Sequence, residues 1–346
     1  MGAPPLWDAN EPLYAEPPKE VLTWPEGDFL APTWNGRTFF AHPPLATWIT
    51  VPFYQWLGPS EFGHRLPMAL AASLTVLAVY VLGKRKGGMR TGILAALVLA
   101  ATPRVWLFSR QLSGDVYMTT LLTWAFVLAE PAVAGRGWSW RTWTAHALVG
   151  IGFLAKGPVI LVLYGGAFLL AWLGARPRAP LRRLRPLRSV LVVLALGAPW
   201  FVYMALRFPA FLGEHFGRFT LERIVGGLGH RGVGFYPVAL LGDAQPWILL
   251  LPFALLLAWR SGRRRVVDLL PWTVIAWTLL AFTFSAGKRN VYLLPLYPML
   301  AVVVAPVLAA AWAGRSPRLA RVAGGLLALL ALAGTVGLAI LESHEP

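Results

Sequence analysis

The sequence predicts an all-α polytopic membrane protein, and three observations carry that prediction. Hydrophobic residues make up 57% of the 346 positions. Charged residues make up only 13%, about half the share of an ordinary globular domain. Apolar stretches recur along nearly the whole chain, so no room is left for separate soluble domains. A water-facing surface around a core this apolar cannot be assembled from so few polar side chains. One membrane domain spanning 1–346 is therefore expected, although ~150 residues per domain would suggest two soluble ones. The absence of cysteine excludes disulfides, thiolate metal sites and cysteine nucleophiles.

The elements follow in order. Residues 1–65 form a first extracytoplasmic loop, acidic at its start. Nothing resembling a signal peptide or apolar span precedes Asp8, so a transmembrane helix is expected upstream of this start, missing from the chain. The stretch 45–57 is too short to cross a bilayer and carries Trp48, Tyr54 and Trp56, which suits a helix lying in the interface. A crossing needs ~20 largely apolar residues. Spans are expected at 66–83, 92–108, 117–134, 143–155, 158–173, 189–206, 237–259, 269–284, 291–313 and 322–341, a bundle of about 10–11 transmembrane helices. Several are short. Gly157 and Pro158 separate two of them, Gly ending one helix and Pro opening the next. A second long outer loop occupies 207–236, and long loops in an otherwise tightly connected bundle are where function is expected.

Basic residues orient the bundle. Alternate loops collect 19 of the 31 cations, including Lys84, Arg85, Lys86, Arg176, Arg183 and Arg263 to Arg265, with only two of the 15 acids, Glu130 and Asp268. Loops that stay in the cytoplasm are enriched in this way, so the cationic side is inner and the two long loops are outer. The same bias explains the run ARPRAPLRRLRPLR by topology and anionic lipid, without nucleic acid, despite a net charge of +16.

The outer segments carry an ordered set of motifs: the acidic LWDANEPLYAEPPKEVL, then AHPPLATW, SRQLSGDVY, GFLAKGPV and FSAGKRNVYLLPLYP. From about Leu6 to Pro298 this series resembles the membrane glycosyltransferases that use polyprenyl-phosphate sugars, the group holding protein O-mannosyltransferases and the aminoarabinose transferase of lipid A. The resemblance implies a GT-C fold with extracytoplasmic loop helices, whose outer loops bind donor and acceptor beside the bilayer. It also implies an acidic pair in the first loop. Where the family carries Asp-Glu, this chain has Asn10-Glu11, so the carboxylate falls to Asp8 or to Glu11. Before the diproline, relatives of the lipid A enzyme carry Glu-Lys, and here Ala41-His42 stand instead.

A donor with an apolar tail and an anionic phosphate needs cations at the bilayer edge. Arg110, Lys156, Lys288 and Arg289 sit at predicted helix ends on the outer side, placed to hold that phosphate and stabilise it as it leaves. Snorkelling at the interface is the plainer explanation for each. Transfer to a hydroxyl also needs a base, for which Asp8, Glu11 and Asp115 are the candidates, with Arg110 as a partner for Asp115. The alternative makes Asp115 a first-turn residue favoured by the helix dipole. His42 and His230 with a carboxylate are the residues that could hold a divalent cation, or they are ordinary hydrogen-bonding groups. Tyr14, Tyr292 and Trp247 are candidates for shaping the sugar or lipid groove.

The expectation is an inverting transferase of the bacterial inner membrane, moving a sugar from an undecaprenyl-phosphate carrier to a lipid A, glycan or protein acceptor on the extracytoplasmic face. No cofactor is implied other than the divalent cation that His42 and His230 could hold. The competing reading is a non-catalytic protein that binds or transports the lipid carrier, favoured by Asn10 and Ala41. A transporter would bury polar residues midway through several spans, whereas nearly all charges here lie at span ends.

Overall fold

A computed structural model describes residues 11–24, 27–136, 139–176, 185–225, 231–314, 321 and 324–325. Asp8, His230 and almost all of the expected span 322–341 lie outside them.

The first loop is ordered by a tight turn and by side-chain hydrogen bonds across it. Helix α1 (Pro12–Thr23) starts with Glu11 at its N-cap and Pro at its first turn, where the missing N–H is not needed. Strands β1 (Thr33–Trp34) and β2 (Arg37–Thr38) pair antiparallel around Asn35-Gly36. Both turn residues have positive φ, 52° and 71°, the conformation that a two-residue hairpin turn demands. Glu20 of α1 is fully buried and accepts from the Thr33 hydroxyl at 2.5 Å and the Gly36 N–H at 3.3 Å. Helix α2 (Leu45–Leu57) follows with the bounds the sequence predicts, and Trp48 donates to the Phe29 carbonyl at 2.6 Å. The loop is thereby folded against α2.

The bundle begins with α3 (Glu61–Ala100), whose Ser60 cap accepts from the Gly63 N–H. Non-helical dihedrals at Gly87 and Gly88 turn α3 back on itself, and Gly83 lies against Gly92 and Ala95. The expected spans 66–83 and 92–108 are thus two arms of a hairpin. The second arm ends before Thr102, and Pro103 starts a short helix α4 (Pro103–Phe108). Next come α5 (Gly114–Pro131), a π-helical turn at Ala132–Arg136, α6 (Trp140–Lys156), α7 (Val159–Gly174) and α8 (Pro186–Arg207). Beyond them the second long loop contains the π-helical Gly213–Leu221 and α9 (Glu222–Val225).

The expected span 237–259 is not straight. It consists of α10 (Phe235–Asp243), a 3-10 turn at Trp247–Leu250 and α11 (Leu251–Ser261), with Phe235–Asp243 and Trp247–Ser261 bent by 103°. Pro246 lacks the N–H that would continue α10, which accounts for the break. Finally α12 (Val266–Thr283) leads through a 3-10 turn at Asn290–Leu296 to α13 (Tyr297–Trp312).

By length and composition, five helices among the described residues can cross a membrane, or six if the bent pair is one span. The larger number expected from the sequence includes α6, 17 residues long, and α7, 16 residues long, which form helices but fall short of a full crossing alone. Helix α13 is the buried axis, with Val302, Val304, Ala305 and Val307 completely enclosed. Conversely, α8 exposes Val190, Leu191, Leu194 and Val202, an apolar face that suits lipid and not water.

Helix α5 spans the bundle and fixes its two ends. Asp115 lies in its first turn and Glu130 near its last, a separation of about 22 Å at 1.5 Å per residue. Around Glu130 gather Arg85, whose guanidinium lies 2.9 Å away, and Lys86, which donates to the Val267 carbonyl at 2.7 Å. Arg263, Arg264 and Arg265 line the same cavity. Asp115 stands at the opposite end.

Candidate active site

Five separate segments meet around Asp115. Ser113 caps α5, accepting from the Asp115 N–H at 3.1 Å and donating its hydroxyl to Asp115 Oδ2 at 2.8 Å. The C-terminus of α6 delivers Lys156, which ion-pairs with the same Oδ2. Helices α5 and α6 approach closely here, because a Cβ on Gly114 would stand 2.6 Å from the Ala155 carbonyl oxygen. Gly157 has φ +74°, a left-handed turn that stops α6 immediately after Lys156. The aromatic ring of Tyr292 lies 5.5 Å from the Lys156 ammonium.

The first loop closes over this pair. Glu11, Tyr14, His42, Gln111, Asp115, Lys156 and Arg289 line one cleft. Tyr14 and His42 stack at 4.5 Å, and His42 meets the edge of Phe39. Burial above all raises the Tyr14 phenol, with Lys156 pulling it down and Asp115 pushing it up by less. Tyr14 therefore remains a protonated hydroxyl at neutral pH.

Glu11 is 1% exposed and committed to structure: Arg65 lies 2.9 Å from Oε2, and the Leu112 N–H donates to Oε1 at 3.2 Å. A carboxylate held by a guanidinium and an amide has little lone-pair capacity left for a substrate proton. Among the described residues Asp115 accepts its side-chain bonds on Oδ2 and none on Oδ1.

The structure thus brings together Glu11, Tyr14, His42, Asp115, Lys156, Arg289 and Tyr292, and leaves other expected residues elsewhere. Arg110 does not pair with Asp115. It is exposed and stacks 4.5 Å over the Trp106 ring. Lys288 donates to the carbonyls of Arg231 and Ser285 at 2.9 and 2.5 Å, tying the second loop to the bundle. Trp247 is buried away from the cleft lining. Among the described residues no three His, Asp or Glu side chains group around a metal position, and His42 instead stacks on Tyr14.

Sequence reasoning missed Arg65, Ser113 and His215. Arg65 was visible only as a cation at the head of an apolar span, a placement that demands a partner. Ser113, two residues before Asp115, carries a cap signature. His215 lies 2.7 Å from the Phe40 carbonyl through Nδ1, which must be the donor, and a Cβ on Gly157 would stand 3.8 Å from its other nitrogen. Burial lowers its basicity, the Phe40 bond opposing, so the ring is neutral at pH 7. It wedges the second loop behind Lys156.

Fold and cleft together define a GT-C type membrane protein, with the functional groups at one end of a helical bundle beneath a folded first loop. Within that class the chain is similar to the arabinosyltransferase and protein mannosyltransferase group. Residues 41–203 match the family described as dolichyl-phosphate-mannose-protein mannosyltransferase. The undecaprenyl phosphate-alpha-4-amino-4-deoxy-L-arabinose arabinosyl transferase of Edwardsiella ictaluri is 31% identical over 315 residues, 87% of this chain and 55% of that one. A protein of Aquifex aeolicus is 28% identical over 309 residues, 89% of this chain and 60% of its own. The crystal structure of ArnT from Cupriavidus metallidurans bound to undecaprenyl phosphate superposes with a TM-score of 0.84 at 25% identity, covering 96% of this chain and 60% of that one. The archaeal oligosaccharyltransferase AglB from Archaeoglobus fulgidus shares the fold at a TM-score of 0.53 and 13% identity, covering 87% of this chain and 46% of that one. The chain spans a little over half the length of the curated relatives it matches.

Proposed function

We propose that this chain, as a single membrane domain, transfers a sugar from an undecaprenyl-phosphate carrier to a hydroxyl of a lipid, glycan or protein acceptor at the extracytoplasmic face. The ion pair of Asp115 with Lys156 inside a cleft shared with Tyr14 and Arg289 carries this reading. Arg289 and Lys156 are the cations for the carrier phosphate. When the phosphate takes the Lys156 ammonium, Asp115 is released to act as base, and Glu11 positions the loop through Arg65 and the Leu112 amide. This assigns the base to Asp115 in preference to Asp8 or Glu11.

In the step itself a lone pair of the acceptor oxygen forms the new bond to the anomeric carbon. The bond from that carbon to the phosphate oxygen breaks, and its electron pair leaves with the lipid phosphate. The acceptor proton passes to Asp115, and attack opposite the leaving group inverts the anomeric centre. Lys156 and Arg289 counter the charge that builds on the departing phosphate. Tyr14, held as a phenol, donates to the sugar or to a phosphate oxygen. The cation-rich opposite end supports an outward-facing cleft.

The test is transfer of labelled sugar from a polyprenyl-phosphate donor by the purified chain in liposomes. Asp115→Asn is expected to lose about 100-fold or more of the transfer rate while still binding the carrier. Carrier binding with no transfer by the unsubstituted chain, unchanged by Asp115→Asn, would replace the enzyme with a lipid-carrier-binding protein.

A further inference from the structure

The end of the bundle opposite Asp115 holds a second and larger cavity, between the α3 turn and helices α11, α12 and α13. Its rim carries Arg85, Lys86, Arg263, Arg264 and Arg265 against the two carboxylates of Glu130 and Asp268. Three of these cations already have work. Arg85 binds Glu130, Lys86 the Val267 carbonyl, and Arg265 pairs with Asp268 at 2.9 Å. Arg263 and Arg264 are exposed and make no ion pair among the described residues, so their charge faces the cavity mouth uncompensated.

Below the rim the walls turn apolar, formed by Ala254 and Leu257 of α11, Leu269 and Trp272 of α12, and Val303 and Pro306 of α13. Alongside, Leu255 and Trp259 are 52% and 75% exposed, so this side of α11 faces lipid. A rim that attracts a phosphate above walls that prefer hydrocarbon matches an amphiphile with an anionic head. A free anion would use the rim and leave the apolar depth unfilled. Basic pockets between transmembrane helices on the cytoplasmic side take acidic headgroups in this manner.

We propose that this cavity binds an acidic phospholipid, its headgroup phosphate on Arg263 and Arg264 and its acyl chains along Leu257, Trp272 and Val303. The site is separate from the Asp115 cleft and independent of any sugar transfer.

The experiment titrates the purified full chain in zwitterionic detergent with phosphatidylglycerol brominated in its acyl chains, reading tryptophan quenching. Brominated phosphatidylcholine and inorganic phosphate serve as comparison and competitor. Phosphatidylglycerol is expected to quench saturably at a lower lipid fraction than phosphatidylcholine, and Trp272→Phe to remove part of that saturable quenching. Arg263→Gln with Arg264→Gln is expected to weaken it by roughly 10-fold or more. Arg141→Gln with Arg188→Gln removes equal charge from exposed positions elsewhere on the cation-rich side and should shift it by about twofold or less. Equal weakening by both double variants, equal binding of the two lipids, or quenching untouched by Trp272→Phe would overturn the site. Full displacement by millimolar inorganic phosphate would leave an anion site and overturn the lipid assignment.

Discussion

At the scale of single residues, the pair between Glu11 and Arg65 matters as much as the groups in the open part of the cleft. Both side chains are almost wholly buried, 1% and 4% exposed, and they join positions 54 apart in sequence. Removing one member of such a pair strands a buried charge, at a cost of about 3–5 kcal/mol, whereas removing both can be nearly neutral. Arg65→Met is therefore expected to lower the thermal midpoint in detergent sharply, and Arg65→Met with Glu11→Gln to recover most of the loss. Recovery would show that Arg65 serves Glu11; an unrecovered double variant would show a separate packing role. Glu11 was legible in the sequence as an acid in a loop with motifs around it. Its partner was not, because pairing across 54 residues is decided by how α1 packs on α2 and α2 on α3, and no local pattern encodes that packing. The same limit explains Arg110, whose spacing to Asp115 suggested a pair, whereas its guanidinium lies over the Trp106 ring.

At the scale of elements, one titratable tie between the first loop and the bundle lies at Asp28. Asp28 lies 2.6 Å from Arg207 at the end of α8, and its carboxylate accepts from the N–H groups of Leu30 and Ala31. Burial alone would raise its pKa, but the Ala31, Leu30 and Arg207 bonds outweigh it, and the carboxyl titrates below its usual range. A depressed folded-state pKa stabilises the fold above the unfolded value, about 3.9 for Asp. That contribution fades as pH falls through the folded value. Asp28→Asn should therefore lower the thermal midpoint equally at pH 6 and pH 8, and the gap to the unsubstituted protein should close below about pH 4. A gap that persists in acid would mean the side chain acts by shape and not by charge. Elements bounded by a clear signal were read well from sequence. Helix α2 stops at Gly58, with φ +76°, where the apolar run also stops. Apolarity alone could not show that the run through Trp247 bends at Pro246, since a bent and a straight span have the same composition.

At the scale of the whole molecule, charge and distance together are the basis of the orientation proposed for the cleft. The cavity with Arg263 to Arg265 lies at the Glu130 end of α5, and the Asp115 cleft lies at the other, about 22 Å away along the helix. That is most of a hydrocarbon core, so the two ends meet different aqueous phases if the bundle spans the bilayer. Retention of cations on the cytoplasmic side is the ground on which the proposed function puts Asp115, the β-hairpin and the first loop outside. Because the chain contains no cysteine, single cysteines report position without any background substitution. Arg37 and Ser261 are both exposed, the first on β2 and the second at the end of α11. A membrane-impermeant maleimide should label Arg37→Cys in right-side-out vesicles only, and Ser261→Cys in inverted vesicles only. The opposite pattern would turn the Asp115 cleft toward the cytoplasm and remove the extracytoplasmic acceptor from the proposal. Labelling of both from one side would mean that α5 does not cross, and the separation of its two ends would then carry no information about sidedness.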